Sequence, residues 1–197
     1  MPKAIRSDNG EPFGVPTRDV VPIMSLWLKA WGITPILNRP RRPTDNAKVE
    51  RAQGTTSRWA ELAKCPDLAA LQQALDTTCS IQREKYKVVR LGNVTRSQLY
   101  KSLFEKPRPF EEAQFEEERA YRYLALASMS RKVSSNGTII LYGKVFSVGL
   151  SNKSKILAIK FEPENIAWSV LEQSGTICKT LHDLRFDRHN LFNLTCQ

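Results

Sequence analysis

Ile5-Arg6-Ser7-Asp8-Asn9-Gly10 and Pro43-Thr44-Asp45-Asn46-Ala47-Lys48-Val49-Glu50-Arg51 are the two stretches on which the reading of this chain turns. The first is the end of a short strand, residues 3–7, that stops at an Asp-Asn-Gly turn signal. The second opens a helix, with Thr44 placed to cap it and a body expected over residues 45–64. Between them Thr17 is a good N-cap, and Val20, Val21, Met24, Trp27, Leu28 and Trp31 recur at helical spacing. Gly32 is placed to end that helix, and residues 33–37 read as a second strand. A carboxylate at a strand end, Asp8, and one in the second turn of a nearby helix, Glu50, can converge on a divalent cation. Mg²⁺ takes a few carboxylates plus phosphate oxygens. Arg39-Pro40-Arg41-Arg42-Pro43 forms a stiff basic loop before the helix.

Outward from these stretches the front half stays helical. Cys65-Pro66-Asp67 breaks the Glu50 helix, and Asp67 can cap a third that runs to about Lys87. A short helix follows near residues 96–104 and stops at Pro107 and Pro109. After Tyr123 apolar and polar residues alternate, with Gly137, Gly143, Gly149 and Gly175 at the turns. Strands are expected at residues 131–133, 138–142, 144–148, 156–161, 167–171 and 176–181, the rhythm of a small barrel or sandwich. Tyr142, Phe146, Phe161 and Trp168 are its expected core. Residues 3–7 and 33–37 would form a small parallel pair, which needs cover on both faces.

Charge separates the parts. The chain has 197 residues and a formal net charge of +10. Residues 1–64 carry +5, 65–110 carry +4, 111–123 carry −3 and 124–197 carry +4. The acidic run from Glu111 to Glu118 therefore reads as a linker or an exposed helix between two basic parts. A basic balance selects an anionic partner, with nucleic acid first. No run of 18 apolar residues spans a membrane, and residues 1–9 contain no apolar signal segment. Cys65, Cys79, Cys178 and Cys196 form no C-x-x-C pair, so reduced thiols in a cytoplasmic setting are expected. Cys178, His182, His189 and Cys196 are zinc-competent types, but their spacing matches no common zinc module.

In this order and framing, the residues resemble the catalytic core of DDE-type integrases and transposases, the RNase H-like superfamily of insertion sequences and retroviruses. The likeness covers about residues 3–62: Ile5 to Gly10, Pro12-Phe13, Trp31-Gly32-Ile33, Arg39 to Pro43, and Asn46-x-x-x-Glu50-Arg51. It implies that Asp8 and Glu50 are the middle and last of three metal-binding carboxylates, with Mg²⁺ or Mn²⁺ as cofactor. It implies that Arg39, Arg41, Arg42, Asn46, Lys48, Arg51 and Arg58 contact DNA. The strand-rich back half is similar to the SH3-like barrel that often follows such cores, with Arg131 and Lys132 as its DNA contacts. The expected fold is thus α+β: part of an RNase H-like core over 1–64, a helical extension and acidic connector over 65–123, and a β-barrel over 124–197.

The chain departs from the family pattern at several points. The seven residues before Asp8 contain no acidic side chain, so the first carboxylate has no counterpart. Asn46-Ala47 stands where Asn-Gly is usual, and Ser57 where Lys or Arg is usual, with Arg58 beside it. Two functions follow from the resemblance. One is a truncated strand-transfer enzyme of DNA transposition and integration, inactive alone unless a second chain supplies the missing Asp. The other is a non-catalytic fragment that binds the DNA of a mobile genetic element or a full-length transposase. A basic scaffold or RNA-binding protein with a chance Asp-Asn-Gly is the reading from another class.

Overall fold

A computed structural model describes residues 1–14, 20–39, 41–105 and 108–194. Expectations that fall on Thr17, Pro40, Pro107 and Cys196 lie outside the described residues. The elements run β1 (Ala4–Ser7), α1 (Ile23–Ala30), β2 (Thr34–Leu37), α2 (Ala47–Trp59), α3 (Leu68–Ser80), α4 (Arg96–Leu99), α5 (Lys101–Glu105), α6 (Glu117–Ala125), β3 (Met129–Lys132), β4 (Thr138–Leu141), β5 (Lys144–Ser147), β6 (Ile156–Glu162), β7 (Ala167–Leu171), β8 (Ile177–His182) and α7 (Arg188–Phe192). The chain is of mixed α+β class. It packs as two units: residues 2–38 with 110–197, and residues 39–109 with Met1. Among the described residues no helix is long and apolar enough to cross a membrane.

The larger unit holds the apolar core. β1 and β2 pair in parallel, with Ile5 opposite Pro35 and Arg6 opposite Ile36. Pro35 lacks an N–H donor, which an edge strand tolerates. The crossover helix α1 buries Leu26, Leu28 and Ala30 and packs on both β2 and α6. Gly32 takes φ +65° after the helix, and Ile33 N–H returns to Leu28 O at 2.8 Å. Trp31, at the end of α1, stacks on Phe110 at 4.1 Å and meets Phe115 and Phe192 at 5.3 and 5.8 Å. Long-range ring packing of this kind ties residues 2–38 to residues 110–194.

The acidic run leads into α6. Glu117 and Glu118 occupy its first turn, where the helix dipole favours negative charge. Ala120, Tyr121 and Leu124 are buried. Tyr121 Oη donates to Phe186 O at 2.7 Å, and burial, aided by Glu117, pushes its phenol up to about 12.

The β half is a four-stranded antiparallel sheet, ordered β3-β6-β7-β8, with a separate β4-β5 hairpin. Neither closes on itself. Alternation puts Leu157, Ile159 and Phe161 of β6 inward, and β7 runs buried from Ala167 to Val170. The β4-β5 loop is Tyr142-Gly143, both at positive φ, which is the twist a two-residue hairpin requires. Tyr142 turns its ring onto Phe186 and Trp168 at 5.0 and 5.7 Å. Of the expected aromatic core, Phe161 and Trp168 are fully buried, whereas Tyr142 and Phe146 are half-buried.

The smaller unit is helical. Its helix around Glu50 is capped differently from the expectation. Pro43–Asp45 forms a 3-10 turn, Asn46 takes the N-cap position, and Thr44 does not cap. The helix stops at Trp59 rather than near residue 64, because Glu61 adopts a left-handed backbone (φ +47°). Asp67 caps α3 as expected, accepting from Ala70 N–H at 2.8 Å. α3 then widens into a π-helical turn over Ile81–Lys85. Thr95 and Gln98 close a capping box on α4. Among the described residues of this unit Ala60 is the one buried apolar side chain, and α2 buries none.

Candidate nucleic-acid interface

The two carboxylates that the resemblance singles out fall in different units, Asp8 in the larger and Glu50 in the smaller. Asp8 follows β1 and is exposed. Its Oδ1 accepts Gly10 N–H at 3.2 Å, which fixes the turn. Beside it Asn9 Nδ2 donates to Asn38 O at 3.0 Å, joining the ends of β1 and β2. Glu50 is exposed on α2, and its backbone N–H closes the first turn on Asn46 O at 3.1 Å.

Carboxylate oxygens are the donors that Mg²⁺ and Mn²⁺ favour. Each unit, however, contributes a single one of these two carboxylates. Among the described residues no group of three His, Cys, Asp or Glu side chains gathers to hold a metal. Among the described residues, neither unit alone gathers a three-ligand donor set for such an ion. Of the zinc-competent cluster, Cys178 Sγ lies 3.3 Å from Val170 O and His189 Nδ1 lies 3.4 Å from Asn193 Nδ2, both local contacts.

The basic residues are more informative. Residues 39–109 hold 15 of the 30 Lys and Arg but only 7 of the 20 Asp and Glu, so eight of the ten net positive charges lie in the smaller unit. In the loop, Arg39 is committed. Its Nε and Nη2 donate to the two oxygens of Asp45 at 3.0 and 2.6 Å, and its backbone N–H adds a third bond. This bidentate grip, a side-chain hydrogen bond first and charge second, raises the Arg39 guanidinium pKa further. The pair pins the loop to the turn before α2 and neutralises one of its three arginines. Arg41, at φ +57°, and Arg42 remain exposed.

On α2 the residue spacing sorts side chains into three stripes, at about 100° per residue. Lys48, Arg51, Thr55 and Arg58 share one. Val49, Ala52, Thr56 and Trp59 share a second, about 100° away. Glu50, Gly54 and Ser57 share the third. Lys48, Arg51 and Arg58 are exposed. Arg58 Nε reaches back to Gly54 O at 3.1 Å. Arg58 thus continues the row of Lys48 and Arg51, not the row of Glu50. Val49, Ala52 and Thr56 line a groove of about 480 Å³ with Lys48, Gln53 and Ser57 and with Leu75 of α3. Gln82 Nε2 donates to Thr56 Oγ1 at 3.0 Å.

In the larger unit Lys132 is exposed on β3, opposite Ile156. Arg131 is half-buried and already engaged, donating through Nε to Ile140 O at 3.1 Å and through Nη1 to Ser130 O at 2.6 Å. Its guanidinium braces β3 against β4.

One basic run went unread as a site in the sequence. Arg83, Lys85, Lys87, Arg90 and Arg96 fall within fourteen residues against a single acid, Glu84. The interleaved Tyr86 was the available signal, but a helix-period reading treats this run as the solvated end of α3. No protein-family model matches the chain, and no curated protein matches it.

Proposed function

We propose that this chain is a DNA-binding protein of the DDE integrase and transposase type, gripping the phosphate backbone through residues 39–109. The observation that carries this reading is the concentration of eight of ten net positive charges in that unit, with Lys48, Arg51 and Arg58 aligned on one stripe of α2. Arg and Lys in a row on an exposed helix suit phosphates spaced along a strand. Arg41 and Arg42 extend the same charge ahead of the helix. Lys132 gives the β unit a contact of its own.

In this reading Asp8 and Glu50 correspond to two of the three carboxylates that the resemblance implies, and strand transfer needs the third as well. Two measurements test the proposal. Retention of the full chain on immobilised duplex DNA should fall steeply with salt, because binding releases condensed counterions. Any Mg²⁺-dependent strand transfer should be abolished by Glu50→Gln. Salt-independent retention, or no retention at low salt, would overturn the DNA reading.

A further inference from the structure

The apolar stripe of α2 ends on a ring pair that the fold leaves half in water. Trp59 meets Tyr86 with centroids 5.3 Å apart and ring planes at 75°. Trp59 is 42 % exposed and Tyr86 48 %. The contact is edge-on, so it occupies one ring face and one ring edge. Arg96 also approaches Tyr86, with its guanidinium carbon 6.0 Å from the ring centroid. Among the described residues the pair has no other aromatic or cationic ring contact.

The pair is held in place. Tyr86 N–H bonds Ile81 O at 2.8 Å, closing the π-helical turn. Arg96 Nη1 donates to Gln82 O at 2.7 Å. Gln82 in turn bonds Thr56, one turn before Trp59. The π-helical turn ends the helix there, and Tyr86 leaves it in an extended conformation. In the sequence on either side of Tyr86, Arg83, Lys85, Lys87 and Arg90 are exposed, and none forms an ion pair among the described residues. Val88 and Val94 bridge the base of the loop that carries Arg90, whose backbone turns through Asn93 (φ +59°) and Gly92 (φ +83°).

Charge selects the occupant. A half-exposed ring pair set among uncompensated cations matches a polyanion with flat apolar faces, which describes an unpaired nucleic-acid strand and not an acidic or apolar polypeptide. Paired bases hide their faces in the duplex stack, whereas every unpaired base offers one to an aromatic ring. We infer that Trp59 and Tyr86 form a stacking platform for an unpaired base of single-stranded nucleic acid, while Lys85, Lys87 and Arg90 hold its flanking phosphates. This rests on the DNA reading and adds to it that the protein engages an unwound segment as well as a duplex.

The test uses the full chain with a fluorescein-labelled oligothymidylate of about fifteen nucleotides and a duplex of equal length, followed by anisotropy. Trp59→Ala should weaken single-strand binding about tenfold and leave duplex binding within about twofold. Lys85→Ala with Lys87→Ala should flatten the single-strand salt slope by about 1.4. Unlabelled oligothymidylate should quench the tryptophan emission of the wild type. In Trp59→Phe that quenching should vanish while affinity stays within about threefold, which keeps the test valid if the alanine variant folds poorly. Equal single-strand affinity of wild type and Trp59→Ala, or no quenching, would overturn the platform. Duplex binding that persists in that case would leave the broader DNA reading standing. Single-strand binding without duplex binding would support the platform and count against the duplex grip.

Discussion

Arg185 holds Asp183 in the floor of the β unit and at the same time reaches the hairpin above it. Its Nε lies 3.0 Å from both Asp183 oxygens, and its Nη1 donates to Tyr142 O at 2.5 Å. The Asp183 side chain is almost wholly buried. Burial pushes its carboxyl up, but the side-chain and backbone hydrogen bonds from Arg185, with the charges of Arg185 and Lys144, outweigh it and leave the carboxyl below its ordinary range. A depressed carboxyl stabilises the fold above its unfolded pKa, and that contribution is lost as pH falls through the folded value.

Asp183→Asn should therefore lower stability by about 2 kcal/mol near neutral pH, since it leaves a partly buried guanidinium unpaired. Urea titrations of wild type and variant should diverge at pH 7 and converge as the pH falls below the ordinary carboxylate range. A pH-independent difference would remove the ion pair from the explanation.

Two glycines should respond in opposite directions. A Cβ on Gly137, which sits at φ +70°, would meet Gly149 C at 2.6 Å and Leu150 N at 2.7 Å. Both are backbone atoms that cannot swing away, so Gly137→Ala should cost about 3 kcal/mol or more. Gly54, inside α2, has nothing within 4 Å of a built Cβ. Gly54→Ala should stabilise that helix by up to about 1 kcal/mol. Thermal melts of the two variants check both signs.

The two units should also differ in local stability. The larger one buries Trp168, Phe186, Leu124, Ile159 and Leu191 almost completely, each contributing about 1.5–3 kcal/mol. The smaller one buries only Ala60 among its described apolar residues. Hydrogen exchange on the full chain should show slow amides in β6, β7 and α6 and fast amides throughout α2 and α3. Equal protection of α2 and β7 would contradict this.

These contrasts explain what was legible in the sequence. β7 falls at the expected residues and the neighbouring strands within a residue or two, because alternation and glycine turns are local signals. Asp67 was readable as a cap for the same reason. The end of α2 was not, since it depends on a left-handed Glu61 rather than on a proline or glycine. Nor was the π-helical turn after Ser80, whose sequence continues an ordinary helical pattern. The grouping of residues 2–38 with 110–194 rests on contacts such as Trp31 with Phe110 and Phe192, which no nearby pattern announces. In the candidate site, Glu50 and the arginines stood out by order along the chain. That Arg39 is tied to Asp45 and Arg131 to Ile140 needed coordinates.

The central claim is that the basic stripe of α2 grips a phosphate backbone. Its most direct test is the affinity of the full chain for a fluorescent DNA duplex across a salt series, compared with Arg51→Gln/Arg58→Gln. The account predicts a linear fall of log K with log salt, shallower by about 1.8 in the double variant. Salt-independent binding, or an unchanged slope in that variant, would contradict it.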